Sequence, residues 1–442
     1  MNSELRTKIE NKQAHVVVLG LGYVGLPVAG LFAQAGFRVS GVRRSPDKVA
    51  LINRGISPIE GDEPGLAELV KDGVATGRFE ATTDYAVCRD ADAVLIAVET
   101  PVEPSTKKPG YRALRGALAD LGRNLSRGTL VIIESTIAPG TMDRVVRPLL
   151  EETSGLRAND DFMLVNCPER VMPGKLLANI RGCDRVVGGM TPEAAEIAAA
   201  LYRHIVQADL DVVDCLTAEL VKTMENAYRD VQIAFANEMA LLCEDMGADV
   251  WQVRELVNKA PYRAMHLPGA GVGGHCIPKD PWLLIANAGD SFAPRLIPAA
   301  RAVNDGMPLH VADLTLDALE EAGVELSEAR VAVLGYAYLE NSDDTRSSPS
   351  AVYVEKVREV GAAVVIHDPW VPEYQGDVWA CVEGCDAAVL MVKHNEYRDL
   401  DLGRLAGELR TPILIDGRNL FSATEVARAG LSYRGVGRGR TL

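Results

Sequence analysis

Residues 271–280 read Gly-Val-Gly-Gly-His-Cys-Ile-Pro-Lys-Asp. They set one thiol, Cys276, among glycines, with a cation at Lys279 and a carboxylate at Asp280. A thiolate forms at neutral pH where positive charge lies near it, and glycines let a bulky substrate approach the backbone. A cysteine that forms a thioester serves an enzyme that carries an alcohol through to an acid; an ordinary alcohol dehydrogenase needs no nucleophile. A lone cysteine is more often a small buried hydrophobe. Here the flanking glycines, Lys279 and Asp280 favour the nucleophile. His275 either activates the thiol or packs beside it.

A second constellation is Gly20-x-Gly22-x-x-Gly25, with a buried-strand run before it and helical spacing after it. In that setting the first glycine allows a tight turn, the second admits a pyrophosphate, and the third lets helix and strand approach, which points to a dinucleotide. The following strand ends Val42-Arg43-Arg44, where an acidic residue ordinarily holds the adenosine ribose. Two arginines there can pair a 2′-phosphate, which leaves NADP open beside NAD; alternatively Arg43 stacks on adenine and NAD is the cofactor. The reaction class favours NAD.

Glu99-Thr100-Pro101 and Glu134-Ser135-Thr136 each follow a strand, where polar residues either line a ligand crevice or cap the next helix. Lys222 and Asn226 are spaced i, i+4 on one helix face, which is either solvated or turned inward for polar work. Asn166-Cys167-Pro168-Glu169-Arg170 and Asp343-Asp344-Thr345-Arg346 read as charged surface turns.

The elements that must position these residues are legible in part. Residues 15–19, 38–42, 93–98 and 130–133 are short apolar strand runs, and residues 26–35 form a helix stopped by Gly36. Residues 217–246 hold neither proline nor glycine and keep helical periodicity up to Gly247, which makes one long helix able to bridge two domains and pack against its copy in a second subunit. Beyond Arg330, runs at 331–335, 364–366, 387–392 and 412–415 restore the α/β texture. The expected fold is α/β: two Rossmann-like doubly wound domains joined by a central helical region, with parallel sheets covered on both faces.

The chain of 442 residues is 48% hydrophobic and 24% charged, ordinary values for a globular protein of two or three domains. A formal net charge of -15 argues against a general nucleic-acid binder. None of the eight cysteines forms a CxxC pair, and residues 1–13 do not read as a secretory signal, so a cytoplasmic location is expected. The uncharged stretch 16–37 is broken by glycines and a proline, and reads as strand and helix rather than a membrane span.

Six ordered motifs resemble the nucleotide-sugar 6-dehydrogenases of the UDP-glucose/GDP-mannose dehydrogenase family. They are Gly-Leu-Gly-Tyr-Val-Gly at 20–25, Glu-Ser-Thr-Ile-Ala-Pro-Gly-Thr at 134–141, Cys-Pro-Glu-Arg at 167–170, Ala-Glu-Leu-Val-Lys at 218–222 with Asn226, Gly-Gly-His-Cys at 273–276 through Asp280, and Asp-Thr-Arg at 344–346. The resemblance spans nearly the whole chain, residues 14–420. His275 before Cys276, together with the runs at 167–174, 184–189 and 235–238, is most similar to the branch that oxidises UDP-N-acetyl-D-mannosamine; UDP-N-acetylglucosamine and UDP-glucose are the alternatives. Outside that family, a two-electron hydroxyacid dehydrogenase shares the first domain, and a non-catalytic nucleotide-sugar-binding protein is a third class.

The resemblance implies a four-electron oxidation with two molecules of NAD, the intermediate held on Cys276. It implies oxyanion donors at Lys222 and Asn226, water positioned or deprotonated by Asp280 and Glu169, and Thr136 beside them. Cofactor contacts fall on Gly20, Gly22, Tyr23, Val24, Gly25, Arg43, Thr100, Glu134, Thr136, Lys279 and Arg346. Substrate contacts fall on Glu169, Arg170, Lys222, Asn226, Arg263, His266, Gly273 and Arg418, with Arg263 reaching into a partner subunit. It implies an NAD-binding domain over 1–212, a central dimerisation domain over 213–312 and a nucleotide-sugar-binding domain over 313–442. The expected partners are a UDP-sugar and a second copy of the chain, as a homodimer or dimer-based oligomer, with no nucleic acid, membrane or metal. Two positions depart from the family pattern: Arg43 stands for an acidic residue and Leu339 for a lysine.

Overall fold

The computed structural model describes residues 2–59, 61 and 63–439. The chain divides into two compact units, one running through Glu225 and including Trp282–Asp290, the other made of Asn226–Pro281 and the chain from Ser291 onward.

The first unit is built on eight strands: β1 His15–Leu19, β2 Arg38–Val42, β3 Phe79–Thr82, β4 Ala93–Ile96, β5 Leu130–Ile133, β6 Met163–Asn166, β7 Arg185–Gly189 and β8 Leu210–Asp214. Their order is β3-β2-β1-β4-β5-β6-β7-β8. Strand β1 is wholly buried because helices cover both faces of the sheet, which is why it reads as an unbroken apolar run. The helix Gly25–Ala35 follows the glycine loop and ends at Gly36, whose φ of 111° is the left-handed cap that glycine adopts at no steric cost.

The expected parallel sheet is present, with one antiparallel pairing, at β7. Strands β1 to β6 are parallel, but β7 pairs with β6 antiparallel through Val165–Gly189 and Asn166–Gly188, and β8 is parallel to β7. A parallel return needs a crossover whose helix carries the chain back along the sheet. The helix between β6 and β7, Leu176–Gly182, has only seven residues.

The second unit holds β9 Arg330–Leu334, β10 Ala363–His367, β11 Ala387–Leu390, β12 Ile413–Asp416 and β13 Ser432–Gly435 in the order β10-β9-β11-β12-β13, all parallel. The helix Leu296–Glu321 packs its Met307, Val311 and Leu319 into the core of this sheet. The long helix is Cys215–Met246, two residues longer at its start than the periodicity indicated. Asp214 explains the extension: its carboxylate accepts from the Thr217 amide at 2.9 Å and the Thr217 hydroxyl at 2.6 Å, capping the helix start.

Among the described residues no helix is long and apolar enough to cross a membrane, and no cluster of His, Cys, Asp and Glu could hold a metal ion.

Candidate functional site

In the first unit the three fingerprint glycines do different work. Gly20 has φ 96°, and a Cβ there would lie 2.4 Å from the Ala97 carbonyl oxygen. A Cβ on Gly25 would lie 2.0 Å from the Gly20 oxygen, so the helix begins against the turn itself. Around Gly22 nothing stands within 4 Å of a Cβ, which leaves its backbone open to a ligand. Val24 gives the helix start no side-chain cap, as suits a site where an anion satisfies the first amides. The residues present therefore fit a dinucleotide. Arg43 leaves β2 and donates from its guanidinium to the Leu21 carbonyl, so it lies across the glycine loop, while Arg44 is exposed.

At the ends of β4 and β5 the polar residues are not helix caps. The Thr100 hydroxyl donates to the Thr136 carbonyl at 2.6 Å, and Ser135 Oγ accepts from the Val98 amide at 2.9 Å. These bonds tie the two post-strand loops together. Glu134 is fully buried: Tyr202 donates to its Oε1 at 2.6 Å and Arg185 lies 3.2 Å from the same oxygen. Burial pushes this carboxyl above its ordinary range, while the Arg185 charge opposes that shift. Its side chain is thus buried and braced on one oxygen by Tyr202 and Arg185. Sequence reading missed Arg185 and Tyr202 because they lie 51 and 68 residues from Glu134 and carry no local signal.

The turn at 166–170 is not surface. Asn166 and Cys167 are buried, burial raises the Cys167 thiol to about 12, and Glu169 keeps 9% exposure. Arg170 is spent on a two-pronged pair with Glu225 and on the Asp184 carbonyl. Lys222, 8% exposed, is turned inward rather than solvated.

In the second unit, Asn226 Nδ2 donates to Asp280 Oδ2 at 2.5 Å. Asp280 is fully buried, and Lys279 Nζ stands 3.2 Å from its other oxygen. The Asp280 and Lys279 amides both donate to the Cys276 carbonyl, at 2.9 and 3.1 Å, so the thiol sits on the turn that leads into the helix Asp280–Ile285. Cys276 is half-buried. Burial, then the charges of Lys279 and Arg346, hold His275 below the ordinary imidazole range, which keeps it neutral. Arg346 pairs with Asp344 at 2.5 Å on an exposed turn, as the sequence implied.

The glycines of this loop serve the protein as well as any ligand. Gly271 and Gly274 have φ of 119° and 88°, and Cβ atoms on Gly273 and Gly274 would lie 2.5 and 2.7 Å from Tyr338 side-chain atoms. Tyr338 thus fills the approach that sequence reading reserved for substrate. Beside it a cavity of about 660 Å³ is lined by Arg254, Arg263, His266, Gly273, Tyr338 and Arg418, among others. With Arg229, four arginines line this cavity, and guanidinium groups suit phosphate. Sequence reading found Arg263, His266, Gly273 and Arg418 but missed Arg254, whose Nε donates to the His266 carbonyl at 2.9 Å.

A Rossmann sheet with an open glycine loop, and a thiol turn backed by a buried carboxylate, define an NAD-linked oxidoreductase. The chain belongs to the UDP-glucose/GDP-mannose dehydrogenase family: it matches the NAD binding domain over residues 14–206, the central domain over 216–306 and the UDP binding domain over 332–423. It is 40% identical to the UDP-N-acetyl-D-mannosamine dehydrogenase of Pyrococcus horikoshii, over 96% of this chain and 99% of that one. A solved structure of a UDP-D-ManNAc dehydrogenase from Pyrococcus horikoshii superposes with a TM-score of 0.90 at 39% identity, covering 96% of this chain and 99% of that one. A protein of Ralstonia nicotianae named NDP-N-acetyl-D-galactosaminuronic acid dehydrogenase is 37% identical over 93% of this chain and 97% of its own. The chain is thus a nucleotide-sugar dehydrogenase with an NAD-binding and a UDP-binding domain.

Proposed function

We propose that this chain oxidises UDP-N-acetyl-D-mannosamine to UDP-N-acetyl-D-mannosaminuronate with two molecules of NAD. The observation that carries the four-electron reading is the buried Asp280 carboxylate, held by Asn226 four residues beyond the Cys276 thiol on one turn. A two-electron dehydrogenase has no use for that pairing.

Bound NAD supplies the hydride acceptor for both oxidations. Gly20, Gly22, Tyr23, Val24 and Gly25 hold its pyrophosphate side, with Arg43, Thr100 and Thr136 around it, and Lys279 and Arg346 are further cofactor contacts in this reading. Cys276 Sγ adds to the aldehyde carbon, so the aldehyde stays on the protein as a thiohemiacetal. Oxidation of that adduct leaves a thioester, which water cleaves to carboxylate and thiol. Asn226 has a second amide hydrogen beyond the one given to Asp280, and with Lys222 it stabilises the oxygen that gains charge at each addition. Asp280 and Glu169 take the proton of the attacking water. Arg263, His266, Gly273 and Arg418 receive the nucleotide end in the cavity they line.

The acetamido class of sugar is supported by His275 before the thiol and by the names of the relatives. We read the chain as three domains divided at residues 213 and 313, and as a cytoplasmic homodimer. The dimer reading draws on an exposed apolar stripe of the long helix: Tyr228, Phe235, Leu242 and Met246 are 64%, 54%, 46% and 72% exposed at heptad-like spacing.

Counting NADH formed per sugar tests the function. Two per UDP-N-acetyl-D-mannosamine, with UDP-glucose and UDP-N-acetylglucosamine turned over far more slowly, is the expected result. One NADH per sugar with Cys276→Ser unaffected would remove the thioester, and dominant turnover of UDP-glucose would remove the substrate assignment.

A further inference from the structure

Tyr338 belongs to the segment between β9 and the helix Pro349–Glu359. That segment has no regular structure to hold it, yet it forms one wall of the cavity and packs on Gly273 and Gly274 two residues before the thiol. Near the loop the Tyr338 amide donates to the Asp344 carbonyl at 2.9 Å and the Gly274 amide to the Arg346 carbonyl at 2.9 Å. A second fastening holds the start of the segment. The Asn341 amide donates to His394 Nδ1 at 2.9 Å, and His394 Nε2 stands 3.1 Å from Asp368 Oδ2. The same Asp368 oxygen accepts from the Tyr336 and Ala337 amides at 2.6 and 2.9 Å. Asn341 closes the clasp from its side, because its Oδ1 accepts from the Asn395 amide at 2.9 Å.

Two features make this clasp specific. His394 has no exposed surface, and its Nδ1 acts as an acceptor, so the ring proton must sit on Nε2 and point at Asp368. Asn341 has φ 53°, a left-handed conformation that asparagine adopts more readily than other side-chain-bearing residues, so its amide and its side chain can both face the His394 segment. The imidazole therefore spans both ends of the segment's first turn: Asp368 grips it at Tyr336 and Ala337, and His394 grips it at Asn341. Tyr338 lies between the two grips.

We propose that His394 is a positioning residue for nucleotide-sugar binding, acting through Asn341 and Asp368 to hold Tyr338 against the glycines of the thiol loop. The inference rests on the nucleotide-sugar reading above. It assigns His394 no contact with substrate or cofactor.

The test compares His394→Phe, which keeps the ring and removes both bonds, with His394→Gln, which keeps a donor and an acceptor. The sugar is whichever UDP-sugar the wild-type enzyme oxidises, so failure of wild type on UDP-N-acetyl-D-mannosamine sinks the substrate reading and leaves this comparison intact. His394→Phe is expected to raise KM for the sugar about tenfold, with kcat and KM for NAD each changed less than about twofold, and His394→Gln to recover most of the loss. A folded His394→Phe with wild-type KM for the sugar, or with sugar and NAD constants rising together, overturns the proposal. If His394→Phe does not fold, Asn341→Ala decides: a rise of about threefold in sugar KM alone supports the clasp, and an unchanged KM overturns it.

Discussion

Asn226 Nδ2 stands 2.5 Å from Oδ2 of Asp280, a carboxylate with no exposed surface. The carboxamide comes from the long helix and the carboxylate from the turn that carries the thiol. A buried carboxylate is tolerated where hydrogen-bonding and ionic partners replace water, and here Asn226 takes one oxygen while Lys279 lies beside the other. The pair therefore holds a carboxylate within one turn of Cys276 in the chain and fixes its direction.

Replacing Asp280 by Asn keeps the shape and removes the base. The kcat for complete oxidation should fall about 10²-fold or more, with KM for the sugar changed much less. Steady-state kinetics of Asp280→Asn and Asn226→Ala check this, the second falling less because Asp280 itself remains. Equal kcat in wild type and Asp280→Asn would deny the carboxylate a role in the chemistry.

Glu219 carries a pH dependence of stability. Its buried carboxylate accepts from the Gly140 and Met142 amides at 2.7 and 2.8 Å, yet desolvation raises the group from its ordinary 4.5 to about 7. Between those values the native state holds a proton that the unfolded chain has lost, so stability falls as pH rises through that window and levels off above it. The loss amounts to at most about 3 kcal/mol. Urea unfolding at pH 5 and pH 7.5 should show wild type losing more stability over that interval than Glu219→Gln; parallel curves would rule the assignment out.

Arg43 reaches back to the Leu21 carbonyl in the glycine loop. If it also pairs a 2′-phosphate, Arg43→Asp should shift the NAD/NADP ratio of kcat/KM about tenfold toward NAD. An unchanged ratio would leave Arg43 with adenine stacking and loop bracing alone.

The apolar stripe on the long helix predicts association. Phe235→Glu combined with Leu242→Glu places charge on two of its exposed positions and should convert dimers to monomers, as read by light scattering at micromolar concentration. Retention of the wild-type mass would place the subunit contact on another surface.

The elements whose signals are local were legible in the chain. Strand β1, the glycine loop, the helix that Gly36 ends and the long helix up to Gly247 all follow from patterns within a few residues, because turn geometry and helical periodicity are short-range properties. The thiol turn was legible for the same reason, since Cys276, Lys279 and Asp280 are neighbours in the chain. Pairing at a distance became visible in the folded chain alone. Strand β8, Leu-Asp-Val-Val-Asp, has no fully buried residue and no long apolar run, and the reversal at β7 depends on how far a short helix can carry the chain. The partners of Glu134, Arg185 and Tyr202, lie 51 and 68 residues away and leave no local signal. The glycines at 273 and 274 read as room for substrate until Tyr338, from a segment more than sixty residues on, fills it. Such contacts leave no periodic trace, because each partner answers to a neighbour that folding alone brings beside it.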